Sequence, residues 1–125
     1  MDKKQQTFQF ENARAEVFQF DNGTEVKECH MMIHASSPRL TYTEQLNAVM
    51  DAYHHLIEGE LKGAQAVFKR YFLSDAANQA DDVILSDVTD CAKSIIQQAP
   101  LDGTKIALWV YLMTNRSEER RVGKE

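Results

Sequence analysis

Lys93, in "DCAKSIIQQ", is the single cation at the head of an apolar, strand-like segment. An ammonium in that position can hold a small anion, or it can snorkel from the strand end into water. Two other groups of residues have chemistry-bearing types. Cys29, His30 and His34 in "ECHMMIHA" follow a hairpin signal and lack a helical stripe. On a strand, four residues span about 13 Å, too far for both imidazoles to reach one metal ion. His54 and His55 are adjacent on a predicted helix and face about 100° apart, which describes a helix surface pair rather than a site. Cys29 and Cys91 form no C-x-x-C pair, and each is expected to act as a small buried hydrophobe. No metal is expected.

The elements that must position these residues belong to one domain. At 125 residues the chain can bury a core without disulfide or metal staples, and its 43% hydrophobic and 26% charged composition is that of a globular protein. A formal net charge of -5 without a basic stripe gives nucleic acid no electrostatic reason to bind. No apolar run reaches the roughly 18 residues that cross a membrane, and "MDKKQQ" is not a signal peptide, so the expected location is the cytoplasm.

The chain opens on a short echo, "FQFEN" and "FQFDN", that places paired Phe residues at strand period. "DNG" at Asp21 to Gly23 predicts a hairpin between "AEVFQF" and "TEVKECHMMIHAS", with Cys29, Met31, Ile33 and Ala35 on the core face and His30 and His34 opposite. Tyr42, Leu46, Val49, Met50, Tyr53, Leu56 and Ile57 form one helical stripe, capped at Thr41 or Thr43 and ended near Gly59 and Gly63. Ala64 to Ser74 reads as a strand apolar on both faces except at Lys69 and Arg70. A second helix follows from Asp75, with Ala76, Ala80, Val83, Ile84 and Val88 as its stripe. Two strands, Ala92 to Gln98 and Thr104 to Met113, close the fold across the turn "APLDG". The order is three strands, of which the first is weakly patterned, then helix, strand, helix, strand, strand. It predicts an α+β fold with two helices covering one face of a single mixed sheet.

The last strand is apolar on both faces. Ile106, Leu108, Val110 and Leu112 share one, while Ala107, Trp109, Tyr111 and Met113 share the other. Helices cover only one of them, so Trp109 and Tyr111 are expected at an interface with another subunit or domain.

This order resembles the Rid family, the YjgF-like reactive-intermediate deaminases with a chorismate-mutase-like fold. Three stretches between Glu25 and Met113 carry the resemblance: "YTEQLNAVMDAYHHLIEGELKGAQAVFKRYFLSD", "FLSDAANQADDV" and "CAKSIIQQAPLDGTKIALWVYL". It implies a trimer with ligand pockets between neighbours, hydrolysis of amino-acid-derived enamines and imines with release of ammonia, and no cofactor. It places substrate binding at Lys93, Ser94 and Ser36. The family's carboxylate-clamping arginine, in "A-R-S", falls on Lys93 of "AKS", exchanging a bidentate fork for a flexible point charge. The acidic residue of active members falls at Trp109. The "S-G-Q" bend falls on Ala35, Ser36 and Ser37, without its glycine, and the aromatic of an early pocket loop on Val17.

These four departures point to a non-catalytic or altered site. Such a domain would bind a small carboxylate, or serve as partner of a second Rid-like domain in a longer protein, as homotrimer or tandem assembly. The alternative is an active enamine or imine deaminase, a hydrolase of C–N bonds, in which Lys93 binds the carboxylate and backbone groups near Ser94 and Ser36 position water. The acidic balance argues against ribonuclease activity. Residues 1–115 form the Rid-like domain by this reading. The charged tail "RSEERRVGKE" at 116–125 is similar to translated sequencing-adapter read-through, which would place the end of the native frame near Asn115.

Overall fold

The computed structural model describes residues 2–21, 26–89 and 91–115. The tail at 116–125 and most of the "DNG" turn lie outside them. The elements are β1 (Asp2–Gln9), β2 (Ala13–Asp21), β3 (Val26–Ala35), α1 (Tyr42–Glu58), β4 (Gln65–Leu73), α2 (Ala76–Ser86), β5 (Ala92–Gln97) and β6 (Ile106–Asn115). The six strands make one mixed sheet in the order β1-β2-β3-β6-β4-β5, an α+β architecture.

Each topological feature has a local cause. β2 and β3 pair antiparallel from Ala13↔Ala35 to Asp21↔Lys27, as a hairpin requires. β1, weakly patterned in sequence, is a full edge strand because Phe8 opposite Ala15 packs against the core. β4 and β5 are parallel, the only such pair among the described strands, because α2 carries the chain back to the starting end. The turn after β5 therefore does not make a hairpin. β6 passes β5 and inserts between β3 and β4, antiparallel to both.

Both helices lie on the face that carries Ala15, Ile33, Leu108 and Tyr71, with α1 over β2, β3 and β6 and α2 over β4 and β5. α1 starts where Thr41 accepts from the Glu44 N–H at 3.2 Å and Glu44 accepts from the Thr41 N–H at 2.9 Å, a reciprocal capping box. Its expected stripe is buried from Leu46 to Leu56.

α2 departs from expectation. It ends at Ser86 and turns Gln79 and Val83 inward, so Ile84 is 60% exposed and Val88, already outside the helix, 86% exposed. Asp75 occupies the N-cap position, but its side chain bonds Asn78 rather than a helical N–H. The physical reason for the early end is Asp87, which is pulled into the interior by a buried lysine.

Candidate functional site

On the face away from the helices the strand register aligns side chains into rows. One runs Glu16, Met32, Trp109, Arg70, Ser94 across five strands, and the next runs Arg14, His34, Ala107, Phe72, Ile96. Above the first row lie Phe18, Phe20, His30 and Tyr111. The rings contact one another: His30 lies 5.0 Å from Tyr111 and 5.7 Å from both Trp109 and Phe20, and Phe68 lies 5.9 Å from Trp109. The Tyr111 hydroxyl bonds to Glu28. No described element covers these side chains, which remain half-exposed. Trp109 and Tyr111 thus stand side by side on the uncovered face.

Arg70 lies within this face. Its guanidinium carbon is 5.3 Å from the centre of the Phe68 ring and 5.9 Å from that of Trp109, and its Nε is buried without a hydrogen-bond partner among the described residues. Ser94 is its neighbour on β5.

The opposite face of the same strands holds a buried ionic cluster. Lys69 is 0% exposed, and its Nζ donates to Asp87 Oδ2 at 2.9 Å and to Thr89 Oγ1 at 2.9 Å. The same ammonium stands 3.7 Å from the centre of the Tyr53 ring. The Tyr71 hydroxyl donates to Asp87 Oδ2, and the Thr89 N–H reaches Asp87 Oδ1 at 2.9 Å. Burial alone would raise the Asp87 carboxyl, but hydrogen bonds from Tyr71, Lys69 and Thr89 outweigh it and hold the group at about 2. Burial also pushes the Lys69 ammonium below its ordinary value, against the opposing pull of Asp87. The Tyr53 hydroxyl is raised to about 12, chiefly by burial.

The structure disperses the residues that the sequence grouped. Lys93 lies on the helix side, where its Nζ donates to the Asp87 carbonyl at 3.0 Å and stands 3.9 Å from Asp87 Oδ1. Ser94, one residue on, projects to the open face. Ser36 follows β3, and two strands, β6 and β4, separate it from β5, so at least about 14 Å lies between Ser36 and Lys93 within one chain. His30 and His34 share the open face, as expected, but serve different neighbours. His54 and His55 are exposed on α1. Cys29 is buried, and burial raises its thiol to about 11, whereas Cys91 is only half-buried beside the ionic cluster.

Sequence reasoning passed over Arg70 and the Lys69–Asp87 pair. The available signal was the adjacent "KR" in an otherwise apolar strand, since alternation must send one of the two charges inward. No protein-family profile and no curated protein matches the chain.

Proposed function

We propose that the chain is a Rid-like domain that acts as an assembly and ligand-binding module rather than as an efficient deaminase. The observation that carries this is the uncovered aromatic face around Trp109 and Tyr111. A sheet whose second face presents contacting Phe, His, Trp and Tyr rings gains free energy by docking that face on a second copy or on another Rid-like domain. The order of strands and helices along the chain is the order that the resemblance implies.

The anion site belongs to the same reading. Arg70 and Ser94 are adjacent on the open face, and a guanidinium lying beside two rings can present a bidentate fork to a small carboxylate. Lys93, the residue aligned with the family arginine, bonds to the Asp87 carbonyl on the other face.

Sedimentation of the full chain at micromolar concentration tests the assembly. We expect a multiple of the monomer mass for the unmodified protein and a monomer for Trp109→Lys, because a lysine centred in the contact leaves an unpaired buried charge. A monomeric unmodified chain would remove the proposal's main support. Ammonia release from freshly generated 2-aminoacrylate separates this reading from the deaminase alternative, and none above the buffer control is expected.

A further inference from the structure

β5 is an end strand of the sheet, and no described strand pairs its outer side. Its inner side is fixed by the Gln98 N–H, which donates to the Leu73 carbonyl of β4 at 3.0 Å. Backbone direction alternates along a strand, so Lys93, Ile95 and Gln97 turn their N–H and C=O groups outward, at a repeat of about 6.6 Å. The same three residues place their side chains on the helix side, as Lys93 does toward Asp87. From Ser94 to Gln98 the strand carries no charge, the feature that commonly guards an exposed edge against pairing.

α2 lies over β4 and β5 and gives this edge an apolar roof. Burial pushes the Tyr42 hydroxyl of α1 up to about 12 and Asp82 adds to it, so Asp82 marks the side of α2 that faces α1. Ile84, two residues on, is turned about 200° around the helix from Asp82 and stands on the opposite side, over the free edge. Ile84 is 60% exposed, and Val88, beyond the helix end, is 86% exposed. Ala80, one turn before Ile84, and Ile95 on β5 are partly buried and pack against the core. At the head of the strand the Lys93 ammonium gives one of its three donors to the Asp87 carbonyl.

We infer that the β5 edge and α2 take up an extended segment of another protein as an added strand, with aliphatic side chains beneath Ile84 and an acidic one beside Lys93. Donors and acceptors repeating along a strand edge are matched by extended backbone, which fixes the conformation of the occupant. Charge fixes its source: a second copy paired edge to edge about Ile95 sets Lys93 beside Gln97 and offers it no carboxylate, whereas an acidic partner residue meets the free donors of the ammonium. The groove lies on the helix side of the sheet and is independent of the open face and its docking.

NMR titration of the full chain with the peptide acetyl-Thr-Val-Thr-Val-Thr-Glu-Thr-amide tests it. Added antiparallel, the peptide sets its valines beside Gln97 and Ile95 and its glutamate beside Lys93. We expect saturable shifts of the Lys93, Ile95 and Gln97 amides. Methylating both valine nitrogens keeps the side chains and removes two edge hydrogen bonds, and should weaken binding by about tenfold or more. Ile84→Ser should weaken it by about fivefold. Leu85→Ser, at a position 78% exposed and turned a further 100° or so away from the groove, should leave it unchanged. Both positions are exposed, so neither variant threatens the fold. Trp109→Lys should bind the peptide as the unmodified chain does, which separates this groove from assembly through the open face. No saturation at millimolar peptide, shifts centred on the Trp109 ring rather than on β5, equal binding of the methylated peptide, or equal losses in Ile84→Ser and Leu85→Ser would each overturn the inference.

Discussion

Replacing Lys69 by Met isolates what the buried ion pair does. Methionine keeps the length and apolar stem of lysine, so the perturbation is the loss of the ammonium. Asp87, with a 0% exposed side chain, then keeps its donors Tyr71 and Thr89 but loses its nearest cation. Removing one partner of a buried pair costs about 3–5 kcal/mol. The surviving donors, with Lys93 Nζ at 3.9 Å, place the expected loss at the lower end, about 3 kcal/mol. Asp87→Asn in the unmodified background strands the ammonium instead and should cost a similar amount. The double variant Lys69→Met/Asp87→Asn leaves no buried charge at the pair, while the amide oxygen can still accept from the Thr89 N–H and the amide nitrogen can donate to the Tyr71 hydroxyl oxygen. It should therefore be destabilised by about 3 kcal/mol rather than the sum of about 6, a coupling of about 3 kcal/mol. For 125 residues each kcal/mol moves Tm by roughly 4 °C, so each single variant should melt roughly 12 °C lower. Urea unfolding followed by far-ultraviolet circular dichroism at fixed protein concentration measures all four proteins. Single losses that add in the double variant to within about 0.5 kcal/mol would refute the pairing as the source of the effect.

Two further outcomes follow from the same structure. The Asp87 carboxyl is held at about 2 against an ordinary 3.8, so its contribution, on the order of 2 kcal/mol, is present above the ordinary value. It is lost as pH falls through about 2, and acid unfolding of Asp87→Asn should show a correspondingly shallower pH dependence between those values. Thr41→Ala removes one half of the α1 capping box and should cost about 1 kcal/mol in urea unfolding, whereas Thr43→Ala, on the exposed first turn, should cost less than half as much.

The elements were legible because their signals are local. The stripe from Tyr42 to Ile57 has one period, Thr41 and Glu44 sit at capping-box spacing, and the alternation of Cys29, Met31, Ile33 and Ala35 states which way each side chain faces. The site was less legible because its residues meet only across strands. "AKS" and "ASS" belong to one pocket by the resemblance, which places that pocket between neighbouring chains; within one chain two intervening strands separate them. α2 was misread past its true end because Ile84 and Val88 continue a helical spacing. The partner that stops the helix, Lys69, enters from a strand whose burial no local pattern reports.

The sequence by itself determined the α+β class from the order of its segments, and the α1 stripe, the core face of β3 and the double apolarity of β6 from periodicity within each, while the choice of Thr41 over Thr43 as the α1 cap came from the structure. Only the tertiary structure decided that β6 inserts between β3 and β4, and with that insertion came the cross-strand rows on the open face. It also decided that Lys69 rather than Arg70 faces the core. The physical reason is register: a strand's pattern fixes which residues share a face, but strand order and pairing fix which residues touch.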